Sequence, residues 1–262
     1  MSTELDFEDV LDLVAMRIDV LELLDGERVP KRRIVDELDY SRSTVNRAVT
    51  ALSEAGLVDD APSGCQTTFV GSLLAEQYSE YVQTVRRLVA NREILNPLSR
   101  DVDLPPDVLA DAEVSLSEGS SPYEPYHALE AVLDSAVGTV RVYVPTFSNP
   151  RGLELARTLA TDHDVEIVFG DRLLEELRAD VPDEVGALFE LEGFTGFETA
   201  TGPDYSLVLV ETESGTDGAL VVHSPERELV GCIVTSNRDT IRWMEQQYSE
   251  IRAESERVES IS

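Results

Sequence analysis

Lysine is almost missing from this chain. Lys31 is the only one, against 20 arginines and 52 aspartates and glutamates, so any motif needing a second lysine is excluded. Cysteine is nearly as scarce. Cys65 and Cys232 stand far apart and in no C-x-x-C spacing, which excludes a disulfide framework and a cysteine metal or redox motif and fits a reducing compartment. No window approaches the roughly 20 apolar residues of a membrane span. The opening MSTELDFEDV has neither the basic nor the apolar part of a secretory leader, so a cytoplasmic chain without membrane contact is expected. Nucleotide loops of the Walker or G-x-G-x-x-G type are absent. Of three histidines, His127 and His163 lack a carboxylate or cysteine at ligand spacing and read as surface or capping residues. No cofactor and no metal are expected.

What the chain has in abundance is negative charge, a net −31 over 262 residues. An acidic surface poor in lysine resembles the proteins of salt-in halophilic archaea, whose carboxylates hold water in concentrated salt; an acidic mesophilic protein is the alternative. In such salt the Debye length is about 3 Å, so net charge steers partners poorly. The charge is uneven. Residues 1–97 hold 10 cations and 18 anions, and residues 98–262 hold 11 and 34, which suggests two modules.

Between Arg28 and Arg47 the balance reverses, with six cations (Arg28, Lys31, Arg32, Arg33, Arg42, Arg47) against Asp36, Glu37 and Asp39. The spacing of Val10, Leu11, Val14, Ile18, Leu21 and Leu24 predicts a helix over 7–24 that Asp25-Gly26 ends. Pro30 opens a second helix over 31–38. Ser41 is a suitable N-cap for a third over 42–54, with Val45, Val49 and Leu52 inward. After Gly56, a strand at Leu57-Val58, a turn at Pro62-Ser63-Gly64 and a return over 66–70 make a small wing. A long helix over 72–94 follows, and its apolar stripe exceeds what a small winged domain can cover.

The order of these parts, with Ser41-Arg42-Ser43-Thr44-Val45 opening the third helix and Leu52-Ser53-Glu54-Ala55-Gly56-Leu57-Val58 running into the hairpin, resembles winged helix-turn-helix transcription factors. The resemblance implies that double-stranded DNA is a partner. It places Ser41, Arg42, Ser43, Thr44, Asn46 and Arg47 at the major groove, where Arg suits guanine and Asn adenine. Lys31, Arg32 and Arg33 would sit on phosphates, and Ser63 and Gly64 would bring the wing near the backbone or minor groove. A solvated helix face is the plain alternative for each arginine.

Residues 96–123, rich in Pro, Ser and Asp, read as a linker with one short strand near 112–116. Beyond it strands and helices alternate: helix 126–136, strand 140–144, helix 151–161, strand 165–169, short helices 172–178 and 185–191, antiparallel strands 206–211, 219–223 and 228–235, and helix 238–252. Gly193-x-x-Gly196 reads as a turn. The runs Val140-Arg141-Val142-Tyr143-Val144-Pro145, Val165-Glu166-Ile167-Val168-Phe169-Gly170 and Leu229-Val230-Gly231-Cys232-Ile233-Val234-Thr235 resemble the sensor domains of archaeal winged-helix regulators of the methanogenesis- and filament-regulator type. More distantly they resemble TrmB-type sensors, which have a phospholipase D-like fold. Phospholipase D chemistry needs H-x-K-x(4)-D, and His223-Ser224-Pro225 puts proline at the lysine position, so that activity is not expected.

The fold class expected is thus α+β: a winged helix-turn-helix over 1–70, a linking and dimerisation helix over 71–97, a linker over 98–124 and an α/β sensor over 125–262. Ligands in open α/β sheets bind beyond the carboxyl ends of parallel strands. Thr146, Ser148, Asn149, Asp171, Arg172, Thr235, Ser236 and Asn237 each follow a strand and are the candidates for a small effector; ordinary helix caps are the alternative. The expected function is a homodimeric DNA-binding transcriptional regulator, not an enzyme, whose second module senses a small molecule or mediates oligomerisation. A winged-helix adaptor, or a nuclease or phosphodiesterase with a DNA-targeting domain, are the alternatives.

Overall fold

The computed structural model describes residues 6–117, 119, 121–146 and 151–259. It divides into two compact units, Met1–Arg86 and Arg87–Ser262.

In the first unit, α1 (Phe7–Leu23) starts at Asp6, whose carboxylate accepts from the Phe7 amide. Then come α2 (Lys31–Leu38) and α3 (Arg42–Glu54). Between them Asp39 takes a left-handed backbone, φ 53°, which turns the chain sharply. Strands β1 (Val58–Ala61) and β2 (Gly64–Thr67) pair antiparallel, and Val29 adds a bridge to Cys65. Val14, Leu21, Leu24, Ile34, Val45, Val49, Leu52 and Leu57 form one buried core.

The long helix begins earlier and ends sooner than the sequence spacing predicts: α4 covers Phe69–Ala90 and a short α5 covers Arg92–Leu95. The reasons are local. Thr68 Oγ1 accepts from the Gly71 amide at 3.1 Å, which caps the first turn. At the other end Asn91 leaves helical geometry, and its side-chain amide donates to the Arg87 carbonyl at 2.9 Å. Gly71 is required for packing, since a Cβ there would lie 2.0 Å from the Leu57 carbonyl oxygen.

The second unit is built on eight strands in the order β10-β6-β5-β4-β7-β8-β9-β3. In chain order its elements are β3 (Glu113–Leu116), α6 (Glu124–Asp134), β4 (Val140–Val144), α7 (Gly152–Asp162), β5 (Val165–Gly170), α8 (Asp171–Asp180), α9 (Pro182–Phe189), β6 (Phe194–Thr199), β7 (Tyr205–Thr212), β8 (Gly215–His223), β9 (Leu229–Thr235), α10 (Arg238–Ala253) and β10 (Glu256–Arg257). Strands β4, β5 and β6 run parallel, and the remaining pairs are antiparallel. Alternate residues serve two cores. Val140, Val144, Ile167, Phe169 and Val208 pack against α6–α9. Tyr143, Val168, Leu207, Leu209 and Leu220 pack against Ile241, Met244, Tyr248 and Ile251 of α10.

Two features differ from the sequence expectation. Residues 98–124 do not behave as a free linker, since Val108 and Leu109 enter the second core; the short strand expected near 112–116 is present as β3 and pairs with β9. Of the turn expected at Gly193-x-x-Gly196 only Gly193 lies in one, and strand β6 already begins at Phe194. Gly196 has no side chain because a Cβ would meet the Phe189 ring at 2.4 Å.

Candidate nucleic-acid interface and strand-end pocket

Helix α3 takes its geometry from its first turn. Ser41 Oγ accepts from the Thr44 amide at 3.1 Å and lies 2.9 Å from Ser43 Oγ and 2.8 Å from Thr44 Oγ1. Ser41 and Thr44 are therefore engaged in the cap. Val45, Ala48, Val49 and Leu52 bury the inner face and leave Arg42, Ser43, Asn46 and Arg47 exposed on the outer one. Thr50 is exposed on the same face; its spacing of i+3 and i+4 from Arg47 and Asn46 was the signal that sequence reading passed over. The Tyr40 hydroxyl donates to Asp19 and ties the preceding turn to α1, which raises the phenol pKa.

The cations before and within α2 are differently placed. Arg28 pairs with Asp59 and donates to the Gly64 carbonyl at 3.0 Å. Lys31 Nζ lies 2.6 Å from Asp60, whose carboxyl is held below the usual range by that bond. Arg33 sits between Glu27 at 2.7 Å and Glu37 at 2.6 Å, and Arg32 lies 3.9 Å from Asp36. The local positive excess seen along the sequence is thus offset in space by carboxylates from outside the 28–47 window. Over 27–60 there are six cations and seven anions. Exposed pairs of this kind are worth about 0–1 kcal/mol, so exchanging a carboxylate for a phosphate costs little. Neither Arg42 nor Arg47 is among the ion pairs found in the described residues.

Ser63 is exposed at the tip of the wing. Gly64, expected near DNA, is instead buried: its φ of +128° and the 3.0 Å from a would-be Cβ to the Val29 carbonyl make it a packing residue. Beside it the buried Cys65 thiol, which donates to Asp60, is pushed up to about 11, mainly by burial.

In the second unit the structure gathers Thr146, Asp171 and Arg172 around one polar pocket, with Thr199, Thr201, Asp204, His223 and Arg227. It does not bring Thr235, Ser236 and Asn237 there. Strand β4 is antiparallel to β7, β7 to β8, and β8 to β9, so β9 ends at the opposite edge from β4. Those residues serve α10: Asn237 Oδ1 accepts from the Asp239 amide at 3.1 Å and the Thr240 amide at 3.2 Å, and Thr235 Oγ1 accepts from the Asn237 amide. Ser148 and Asn149 lie outside the described residues. His223, which sequence reading treated only as a broken catalytic motif, is 5% exposed, with Nε2 3.1 Å from Ser206 Oγ. Burial pushes its pKa down to about 4 and keeps the ring neutral.

No helix among the described residues is long and apolar enough to cross a membrane. Residues 6–90 match the family described as the HVO_A0261 N-terminal domain. Residues 122–254 match the family described as methanogenesis regulatory protein FilR1, middle domain. No curated protein matches the chain. Among solved structures it is similar to TrmBL2, an archaeal chromatin protein, at 10% identity, over 98% of this chain and 95% of that one, with a TM-score of 0.43. It is also similar to NucT from Helicobacter pylori, at 12% identity over 56% of this chain and 98% of that one, TM-score 0.42. Nuc from Salmonella typhimurium, a phospholipase D family member, gives 13% identity over 57% and 98%, TM-score 0.42.

Proposed function

The chain belongs to the family of the FilR1 middle domain, and from that premise we propose that it is a DNA-binding transcriptional regulator of an archaeal, salt-adapted cell, acting in the cytoplasm. Helix α3 enters the major groove, with Arg42, Asn46 and Arg47 toward base edges and Ser43 and Thr50 flanking them. Lys31, Arg32, Arg33 and Ser63 lie toward the phosphates. The observation that carries this reading is an exposed helix face whose two arginines are absent from the ion pairs of a carboxylate-rich unit.

The working form is a homodimer joined through α4. That helix exposes Phe69, Leu73, Tyr81, Val85 and Val89, four residues apart except for the gap at Gln77. One winged unit reads one half-site, and a two-fold pair reads two. The second unit senses a small molecule at the strand-end pocket, which changes DNA affinity only to the extent that the ligand prefers one state. The protein is not an enzyme. The supporting observation is Pro225 where phospholipase D chemistry needs lysine, beside a histidine that is only 5% exposed.

The test is to immunoprecipitate the full chain from cells with its bound chromosomal DNA and titrate the recovered fragments at several salt concentrations. Saturable binding at discrete sites, weakening as salt rises, is expected. Recovery of proteins without enriched DNA would instead assign the adaptor role.

A further inference from the structure

Between the sheet and helices α6 and α7 lies an apolar space of about 100 Å³. Its apolar wall includes Leu129, Val142, Leu155, Val208 and Val221, interrupted by Thr146, Ser206 and His223. His223 is its distinctive member. Nε2 has Ser206, but among the described residues the buried Nδ1 has no hydrogen-bond partner. Buried polar atoms are ordinarily satisfied, because an unmade bond costs about 1–3 kcal/mol. Thr146 and His223 also border the larger polar pocket at the strand ends, so the two spaces adjoin at these side chains.

We infer that the apolar space is the binding site of a small, uncharged aliphatic alcohol, whose hydrocarbon part fills the space and whose hydroxyl bonds His223 Nδ1. This deepens the sensor reading and rests on it only for its biological use. Size sets the hydrocarbon part. At about 30 Å³ per non-hydrogen atom, the space holds roughly three or four, with the polar head at its edge. Charge sets the head. The rim of the adjoining pocket carries Asp171 and Asp204 as well as Arg172 and Arg227, and Arg227 is already paired with Glu176 at 2.9 Å. That rim has no excess of positive charge for an anion, and moving an ion into the apolar space is costly. A hydroxyl also suits either neutral tautomer of His223, because it both donates and accepts.

The probe is isobutanol, added to the full chain while the ring nitrogens of the three histidines are followed by 15N NMR. The His223 signals should shift saturably, with His127 and His163 unmoved, and isobutyrate at neutral pH should bind at least tenfold more weakly. Ala156→Leu, which extends into the same space from α7, should abolish the shift while circular dichroism is unchanged. Should that variant not fold, Val221→Ile adds a single methyl from the sheet side and should weaken binding several-fold. No saturable shift at His223, equal binding of isobutyrate, or unaltered binding by the filled variants would each overturn the inference. Saturable binding with no change in DNA affinity would leave the site standing and remove the sensor reading.

Discussion

Replacing both outward arginines of α3, as Arg42→Ala plus Arg47→Ala, separates base reading from simple charge attraction. Both side chains are exposed, and neither is among the ion pairs that the wing and α2 make. Removing them breaks no internal contact of that kind. Alanine suits a helix slightly better than arginine, so stability should change by less than about 0.5 kcal/mol. A bidentate arginine–guanine contact is worth about 1–3 kcal/mol, so the pair is worth about 2–6 kcal/mol, or roughly 30- to 20,000-fold in Kd. If the two instead sat on phosphates, the plot of log K against log salt would flatten by about 1.8, at about 0.9 per phosphate, and binding would fall equally on every sequence. The assay is fluorescence anisotropy with a recovered chromosomal site and a scrambled duplex, each at four or more salt concentrations. Base reading predicts a large loss on the native site and a much smaller one on the scrambled duplex. Arg32→Ala, at an exposed position already beside Asp36, serves as the control and should change Kd by less than the double variant. An unchanged Kd on both duplexes at every salt concentration would refute the assignment of α3 as the reading helix.

Tyr81→Asp plus Val85→Asp on the exposed stripe of α4 should turn a dimer into a monomer by light scattering and weaken binding to a paired half-site at least tenfold. Gly71→Ala should destabilise the first unit by ~3 kcal/mol or more, read as a drop in its thermal midpoint, because the added methyl meets the Leu57 carbonyl. Burial holds His223 at about 4, against about 6.5 in an unfolded chain, so the unfolded form binds more protons between those values. Stability should therefore fall as pH drops from about 6.5 toward 4, by up to ~3 kcal/mol from this group. In urea unfolding at fixed salt, His223→Gln should lose correspondingly less stability than the parent between pH 7.5 and 4.5.

The first three helices were legible because each announces its ends: Asp25-Gly26, Pro30, Ser41 and Gly56 all lie where the helices begin or stop. The outward face of α3 followed from the spacing of Val45, Val49 and Leu52. Its electrostatic setting did not, because Asp59 and Asp60 reach Arg28 and Lys31 only when the hairpin closes. Strand β6 was hidden because Gly193 does sit in a turn, while Gly196, which looks like its partner, lies inside the strand; both are needed for close packing. A Cβ at Gly193 would lie 2.4 Å from the Ala160 carbonyl oxygen. Strand β3 was legible near 112–116 even inside a proline-rich stretch, but its place at the sheet edge beside β9 was not, because that pairing joins residues far apart in sequence. The division of the strand-end residues into two edges depends on strand direction, which local pattern does not encode. His223 lacked any motif, and only burial reveals it.

The ion pair between Lys31 and Asp60 joins the start of α2 to the wing hairpin. Lys31 carries the only side-chain amine in the whole protein. An acylating reagent therefore meets one side-chain amine, besides the amino terminus, and reacts with it more slowly while that clasp is closed. The rate of acylation becomes a clock for the loosening of the hairpin. Comparing that rate with and without duplex requires no engineered label.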